Sequence, residues 1–369
     1  MRNNTLKETF LIAAVLCILG GIISFAMMSH LNFEKAMVDR TLEQLSLIAK
    51  SEAQSIREYI MNVEQELEIL SANPAIRNTL SAKVPQNKDP GYALALEDSY
   101  KDIGRLADSI YLINDQGKVV SAIPYKKETI NQDLSQRADI KALLADPKPY
   151  TSGIFELPSG IKAFSSLYPV FEKGKFLGMV TAVIFLERIN NLINHINQSE
   201  KSYILVIDNK SNIISYPYSN YIGRNIAFDN FVYSTKRGEI FGKMVNKESG
   251  SGVYDLFLAR DPGKPVKTLV AYVPIVLHNG YWSIAVGEEY SAIAGPVNRN
   301  AAESIMLVIF MFLVFIVSGF ILYRSNKEKV KAEISSRAVE IINKQLHLEI
   351  DERKRVERLL EESLKNYQK

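Results

Sequence analysis

Residues 110–121, IYLINDQGKVVS, contain two short apolar runs on either side of a turn made of Asn, Asp, Gln and Gly. Apolar runs of this length around such a turn predict a β-hairpin. Residues 204–215, ILVIDNKSNIIS, repeat the pattern nearly position for position. The sequence therefore predicts the same hairpin twice.

A second pattern is also repeated, and in the same order. Residues 168–180, YPVFEKGKFLGMV, and residues 273–285, VPIVLHNGYWSIA, both read as a strand containing proline, a turn and another strand. Two matching blocks in the same order indicate a duplicated α+β module of about 90–100 residues. We expect the first module over residues 75–190 and the second over residues 191–303.

The overall composition is that of a folded chain, with 369 residues of which 47% are hydrophobic and 23% charged. These values exclude a disordered or collagen-like protein. The single cysteine, Cys17, excludes a disulfide framework within the chain. The net charge is only +3 and no basic patch stands out, so nucleic acid is not an expected partner.

Two uncharged apolar stretches flank the duplicated region: residues 10–28, FLIAAVLCILGGIISFAMM, and residues 304–323, SIMLVIFMFLVFIVSGFILY. About 20 apolar residues in a helix cross a hydrocarbon core of about 30 Å. We expect transmembrane helices over residues 10–30 and 304–323. A cleaved signal peptide is the alternative for the first stretch, but its apolar run is long and no A-x-A-like site follows.

Basic residues border these stretches on the sides away from the modules, at Arg2, Lys7, Arg324, Lys327, Lys329 and Lys331. The positive-inside rule then places both termini in the cytoplasm, including residues 1–9. Residues 31–303 are expected outside. The sequence thus predicts a two-pass protein of the inner (cytoplasmic) membrane.

A long helical pattern follows the first apolar stretch. Apolar residues recur at steps of three and four from Val38 to Leu70, as on one face of a helix, and Asn73-Pro74 ends the pattern. We expect a stalk helix over residues 31–74. A dimer-forming coiled coil is the alternative interpretation of the same stripe.

The order of these parts resembles the double Cache (dCache) sensor domains of bacterial transmembrane receptors. Residues 137–152 resemble the helix-and-strand segment of the first module in that family, and residues 176–183 resemble its closing strand. Residues 282–290 resemble the closing strand of the second module. The resemblance implies an α+β fold: a long stalk helix, two tandem PAS-like modules of antiparallel sheet, two transmembrane helices and a C-terminal coiled-coil helix.

The resemblance also implies a ligand site in the first, membrane-distal module. In the amine-binding pattern of the family, an arginine is followed two and three positions later by Trp-Tyr, and an aspartate lies in the closing strand. This chain keeps the arginine as Arg137. The aromatic positions are Asp139 and Ile140, the aspartate position is Val183, and Gln132 replaces an expected tyrosine. These differences argue against an α-amino acid, whereas a carboxylate-bearing ligand held by the guanidinium is still compatible with the sequence.

The predicted ligand-binding residues are Arg137, Asp139, Lys141, Tyr150, Tyr168 and Val183. The alternative role of Arg137 is a structural ion pair with Asp133 or Asp139. The alternative for Tyr150 and Tyr168 is packing in the core.

No motif in the sequence indicates catalysis, a cofactor or a metal. The four histidines are isolated, without cysteine partners or metal-ligand spacing. No phosphate-binding glycine loop, HExxH motif or nucleophile elbow occurs. We therefore expect a binding protein, not an enzyme, with no cofactor.

Residues 324–369 show a charged helical pattern in which Ile334, Ile342 and Ile350 lie on one apolar stripe. Charges of both signs alternate around residues 349–358, as on the outside of a coiled coil. Residues 348–367 resemble the linkers that precede the signalling domains of sensor histidine kinases and diguanylate cyclases. The expected partners are a second copy of the chain and a cytoplasmic signalling domain or partner kinase.

Two functions fit these observations. The first is the input half of a transmembrane receptor, which binds a small extracytoplasmic solute and transmits a conformational change to the cytoplasmic coiled coil. The alternative is an accessory membrane scaffold whose outer domain and tail contact partner proteins. A filled first-module pocket would favour the alternative.

Overall fold

The computed structural model describes residues 2–81, 103–125, 127–193, 201–226, 235–257 and 265–367. The first expected module includes residues 82–102, which lie outside this described part. Helix α1 (Arg2–Ala72) is followed by helix α2 (Pro74–Ser81). Between them, the side chain of Asn73 accepts a hydrogen bond of 2.9 Å from the Ala75 N–H, which caps α2.

The next elements build a first antiparallel sheet of six strands. Its strands are β1 (Ser109–Asn114), β2 (Val119–Ile123), β3 (Tyr150–Thr151), β4 (Phe155–Glu156), β5 (Lys162–Glu172) and β6 (Lys175–Phe185). Helix α3 (Ala138–Ala145) lies between β2 and β3 in sequence. The strand order is β2-β1-β6-β5-β3, and β4 also pairs with β5.

A second antiparallel sheet of five strands follows helix α4 (Leu186–Ile193). Its strands are β7 (Ser202–Asp208), β8 (Ile213–Ser215), β9 (Gly250–Phe257), β10 (Pro265–Leu277) and β11 (Gly280–Glu289), in the order β8-β7-β11-β10-β9. A short 3₁₀ helix (Ser219–Tyr221) and helix α5 (Thr235–Val245) lie between β8 and β9. The last element is the long helix α6 (Tyr290–Tyr367).

The two sheets share one plan. In the first, the β1–β2 hairpin pairs through β1 with the closing strand β6 of the β5–β6 hairpin. In the second, the β7–β8 hairpin pairs through β7 with β11 of the β10–β11 hairpin. The repeated sequence patterns thus form equivalent hairpins, and the predicted α+β fold with two antiparallel modules and long flanking helices is confirmed.

The turns of the first hairpins are held in the same way. The side-chain oxygen of Asn114 accepts hydrogen bonds from the N–H groups of Gln116 and Lys118, at 3.1 and 2.9 Å. The equivalent Asp208 carboxylate accepts from the N–H groups of Lys210 and Asn212, at 2.9 and 2.8 Å. Side chains of Asn and Asp stabilise turns by this local bonding, which is why the pattern predicted the hairpins.

The main core lies between α1 and one face of each sheet. The apolar stripe of α1 is fully buried at Ala49, Ile56, Val63 and Leu67. It packs against alternate residues of both sheets in one continuous cluster. The Phe164 and Trp282 rings, one from each sheet, meet edge to face with centroids 5.1 Å apart. Smaller clusters cover the opposite face of each sheet.

Two helices are long and apolar enough to cross a membrane, over Ala14–Ala72 and Tyr290–Ser363. Residues up to Asn32 together with residues from Asn298 form one compact unit, and Phe33–Val297 form the other. Large apolar side chains in the first unit are exposed in the single chain, for example Phe25 at 74% and Phe310 at 64%. Exposed apolar surface of this extent fits burial in lipid.

Candidate functional site

The face of the first sheet that is turned away from α1 carries most of the predicted site residues. We call it the α3 face, because Ile140 and Leu143 of α3 pack on it against Leu167 and Met179. Tyr150 of β3 pairs with Leu167 of β5, so its side chain is on this face as well. The α3 face is therefore the candidate ligand site.

Arg137 immediately precedes α3, and its guanidinium is held from three directions. Its Nε and Nη2 atoms donate to the two carboxylate oxygens of Asp139, both at 2.7 Å. Nη2 also lies 3.3 Å from the Ser165 hydroxyl, and the guanidinium carbon lies 4.5 Å from the centre of the Phe155 ring. Of the two ion pairs considered from the sequence, the structure forms the one with Asp139.

The Arg137–Asp139 pair has unequal exposure. The Asp139 side chain is only 5% exposed, whereas that of Arg137 is 23% exposed. A buried carboxylate requires compensation, and a two-pronged guanidinium supplies both charge and hydrogen bonds. As a result, the pair presents no net charge to the α3 face, and the accessible partner is the cation.

Several hydroxyl groups lie on the same face of the strands, and one of them, that of Ser165, contacts the pair. Ser165, to which Arg137 is bonded, pairs across the sheet with Val183, and Val183 pairs with Ser109. The Ser109 hydroxyl lies 3.4 Å from that of Tyr111. In the next row, Thr181 is fully buried, and its hydroxyl has no hydrogen-bond partner among the described residues.

The structure brings together only part of the predicted set. Arg137, Asp139, Tyr150 and Val183 share the α3 face, and Lys141 is exposed on α3 itself. Tyr168 lies on the opposite face, where it packs against the cluster around α1. Burial and a hydrogen bond to Glu68 raise the pKa of the Tyr168 hydroxyl.

Sequence reasoning did not find Ser109, Tyr111, Ser165 or Thr181. The signal that would have identified them is the strand period of two. Val183 was already a candidate, and its face is shared by Thr181 two residues earlier. Finding Ser109 and Ser165 additionally requires the strand register, which the sequence does not give.

A separate cleft of about 640 Å³ lies between α1, Tyr168 and the tip of the β10–β11 hairpin. Glu64 of α1 accepts a hydrogen bond of 3.3 Å from the Thr151 hydroxyl, and its other oxygen lies 3.8 Å from Nδ1 of His278. Burial raises the pKa of Glu64, while His278 and the Thr151 hydrogen bond oppose the rise.

The two sheets are also linked directly at this hairpin tip. The Asn279 side chain accepts a hydrogen bond of 3.0 Å from the Thr151 N–H and donates one of 2.9 Å to the Thr151 carbonyl. At another point, Lys162 of β5 donates to the carbonyl of Ile222 at 2.6 Å. The first sheet therefore contacts the second through polar bonds as well as through the core.

The second sheet is filled on the face that corresponds to the α3 face. A cavity of about 20 Å³ remains there, lined mainly by apolar side chains such as Leu205, Ile240 and Val270. A volume of that size holds about one water molecule. Among the described residues, the lining of this cavity contains no charged side chain, unlike the Arg137–Asp139 pair of the first sheet.

Metal ligation has no basis in the described part of the chain, where no group of three His, Cys, Asp or Glu residues is placed to hold an ion. The polar groups of the α3 face are instead a guanidinium, a carboxylate and hydroxyls. Groups of this kind bind small polar solutes by hydrogen bonds and charge.

Two similar antiparallel sheets packed along α1, with an apolar helical segment before and after them, are the arrangement of a tandem PAS-like sensor domain, and the two apolar segments fit a two-pass membrane protein. The chain belongs to the dCache_1 family, described as a Cache domain, whose model matches residues 33–297. This family is a non-catalytic input domain of receptors. No curated protein matches the chain in sequence.

Solved structures show the same fold. The periplasmic sensory domain of the Campylobacter jejuni chemoreceptor Tlp1 has a TM-score of 0.55 at 11% identity, covering 70% of this chain and 99% of that one. The ligand-binding domain of the Pseudomonas aeruginosa amino acid chemoreceptor PctB, in complex with L-Arg, has a TM-score of 0.52 at 15% identity, covering 69% and 97%.

An extracellular ligand-binding receptor from Desulfohalobium retbaense has a TM-score of 0.51 at 19% identity, covering 66% of this chain and 40% of that receptor. This chain therefore aligns with less than half of the receptor's length. At these identities the likeness establishes the fold. The ligand has to be argued from the α3 face itself.

Proposed function

We propose that this protein is the input half of a transmembrane receptor that binds a small carboxylate on the α3 face. The observation that carries the proposal is the position of Arg137. It is an accessible cation beside the Ser165 hydroxyl, on a sheet face that is otherwise packed mainly with apolar side chains, in a family of sensor domains. The amino acid chemoreceptor PctB, which shares the fold, is described as binding L-Arg and L-Gln.

The Arg137–Asp139 pair restricts the chemistry of the ligand. A carboxylate that takes a two-pronged position on Arg137 must displace Asp139, whose buried oxygens then need new donors. We therefore propose a ligand with a hydroxyl or amide group beside its carboxylate. Tyr150 and Val183 would form part of the wall, with Lys141 at its exposed rim.

The membrane arrangement of the proposal follows from the apolar helices and the charges next to them. Residues 31–303 would lie outside the cytoplasmic membrane, with both termini in the cytoplasm. Apolar positions of α6 such as Ile334, Ile342 and Leu346 are 63%, 60% and 53% exposed in the single chain. Pairing with a second copy would bury this stripe in a coiled coil, which would act on a cytoplasmic signalling domain or partner kinase.

Signal transmission would be a population shift between two arrangements of this dimer. A ligand shifts such an equilibrium only through its different affinity for the two arrangements. Displacement of Asp139 from Arg137 is a local change that would make the two affinities differ. In this proposal, α6 carries the change from Glu289, where β11 ends, toward the cytoplasmic tail.

The experiment is a thermal-unfolding screen of the full chain in nanodiscs with acetate, L-lactate, succinate, γ-aminobutyrate, L-glutamine and L-arginine. We expect at least one compound to stabilise the protein in a saturable way. Arg137→Ala should abolish the shift, and Tyr168→Phe, on the opposite face, should preserve it. If a compound still stabilises the Arg137→Ala variant, Arg137 does not hold the ligand.

One observation favours the scaffold as a second candidate. The Arg137 guanidinium is already partnered by Asp139, Ser165 and the Phe155 ring. If this arrangement is permanent, the α3 face is closed and the outer domain would act by contacting other proteins. Failure of every compound in the screen to stabilise the chain would support this candidate.

A further inference from the structure

The geometry points to Asn279 as the positioning residue through which the α3 face of the first sheet is coupled to helix α6. This inference rests on the proposed function, because it names the route by which a change at the ligand site would leave the first sheet. It is carried by contacts at both ends of the β10–β11 hairpin.

At the tip of the hairpin, Asn279 binds a backbone rather than a side chain. Its amide oxygen accepts from the Thr151 N–H at 3.0 Å, and its amide nitrogen donates to the Thr151 carbonyl at 2.9 Å. The two bonds reproduce those that a neighbouring strand would make. In effect, the second sheet supplies a strand-like partner to the edge of the first.

The strand that Asn279 holds adjoins the candidate ligand site. Strand β3 consists of Tyr150 and Thr151 alone, and it pairs with β5 on its other side. Tyr150 is on the α3 face, while Thr151 turns to α1 and donates from its hydroxyl to Glu64. Because the two residues share one peptide bond, a shift of Tyr150 moves the groups that Asn279 binds.

From the tip, the hairpin leads without interruption to α6. β10 and β11 remain in register from Leu277 and Gly280 at the tip to Thr268 and Glu289 at the base. The ten residues of β11 span about 30 Å at the usual strand rise. Helix α6 begins at the next residue, Tyr290.

The base of the hairpin is tied to α1. The Tyr290 hydroxyl donates to the carboxylate of Glu34, and the ammonium of Lys267 lies 3.8 Å from the centre of the Tyr290 ring. Burial and the hydrogen bond to Glu34 raise the pKa of Tyr290 to about 12, so this hydroxyl remains a donor. A displacement of the hairpin therefore acts on the start of α6 relative to α1.

The test is a double-mutant cycle in the full chain in nanodiscs, and it needs no ligand. Tyr150→Ala perturbs the first sheet, Asn279→Ala removes the contact, and amide hydrogen exchange is read at residues 290–297. We expect Tyr150→Ala to change this exchange in the wild-type background. Asn279→Ala should reduce that effect about fivefold or more, because about fivefold is the factor expected for one lost hydrogen bond and this variant loses two.

Asn246→Ala is the matched control, because Asn246 is an exposed asparagine in the segment that connects α5 to β9 of the second sheet. It should leave the effect of Tyr150→Ala unchanged. Asn279→Asp keeps the acceptor for the Thr151 N–H and loses the donor, so it should give an intermediate effect. It also provides a second variant if Asn279→Ala folds poorly.

The inference is overturned if Tyr150→Ala changes the exchange at residues 290–297 equally with and without Asn279, or does not change it at all. Neither result bears on ligand binding, which is read separately from the stabilisation of the Asn279→Ala chain by the same six compounds. Loss of coupling with retained stabilisation supports the inference. If none of the six compounds stabilises the wild-type chain, the proposed function itself fails.

Discussion

The guanidinium of Arg137 and the carboxylate of Asp139 form a two-pronged ion pair, with both hydrogen bonds at 2.7 Å. The pair lies at the start of α3, on the face of the first sheet that is turned away from α1. Its two members are separated by one residue, so it forms locally once the helix begins. The pair should stabilise the fold, and a carboxylate ligand that binds Arg137 with both oxygens has to displace Asp139.

Breaking this pair should destabilise the protein. Arg137→Ala leaves the 5% exposed Asp139 carboxylate without its cation, and breaking a fully buried pair costs about 3–5 kcal/mol. We expect a loss of about 2–3 kcal/mol in the free energy of unfolding, because Arg137 is 23% exposed. Urea unfolding of the full chain in detergent measures it.

Two further variants isolate the reason for that loss. Arg137→Ala combined with Asp139→Ala should recover part of it, since no unpaired charge is left. Lys148→Ala breaks a pair with Asp146 in which both side chains are exposed, and should cost about 0.5 kcal/mol or less. An Arg137→Ala effect as small as that of Lys148→Ala would contradict a buried pair.

Replacing the Thr181 hydroxyl should not harm the fold. Thr181 is fully buried and its hydroxyl has no hydrogen-bond partner among the described residues, so Thr181→Val removes an uncompensated polar group. We expect the free energy of unfolding to stay unchanged or rise by about 1 kcal/mol. The control is Thr151→Val, which loses the hydrogen bond to Glu64 and should lower the free energy of unfolding. A loss with Thr181→Val would show a partner for this hydroxyl.

Gly178 lies at the bulge between β5 and β6, where the backbone of β6 also comes close to that of β1. Its φ angle is +144°, and an added Cβ would lie 2.2 Å from the carbonyl oxygen of Ile113. Gly178→Ala should therefore cost at least about 2 kcal/mol in the free energy of unfolding. Gly153→Ala is the control, since nothing lies within 4 Å of an added Cβ there. Equal thermal shifts for the two variants would refute the close approach at Gly178.

The free energy of unfolding should fall as the pH rises, because of the partly buried carboxyl group of Glu64. Burial raises its pKa in the folded state, so the folded protein binds this proton more tightly than the unfolded chain. The contribution is fully present below the unfolded pKa of about 4.3 and is lost as the pH rises through the raised folded value. Glu64→Gln should remove this part of the pH dependence.

Urea unfolding at a series of pH values above 4 measures the effect of Glu64. Glu43→Gln, at an exposed position of the same helix, should keep the wild-type profile. The explanation fails if Glu64→Gln and the wild type have parallel profiles throughout. It also fails if the Gln variant loses stability more steeply with rising pH.

The hairpins and long helices were predictable because their signals are local. The Asn114 and Asp208 turns fix their own backbones, and the apolar stripe from Val38 to Leu70 needs only the helical period. These signals, repeated in the same order, were enough for the fold class. They do not depend on knowing which strand pairs with which.

The candidate site was only partly predictable, because its assembly depends on register. Tyr150 and Tyr168 are both aromatic residues of the same sheet, yet they lie on opposite faces. Their faces follow from the pairing of Tyr150 with Leu167, which no local pattern encodes. The contact of Asn279 with Thr151 joins residues 128 positions apart and has no sequence signal of its own.

The proposed receptor function depends on the binding of a small solute to the α3 face of the first sheet. Amide hydrogen exchange of the full chain, with and without the compound that stabilises it most, tests this directly. We expect slower exchange at residues 109–111, 137–151 and 181–183. Slower exchange confined to the second sheet, at residues 203–226 and 238–256, would contradict it.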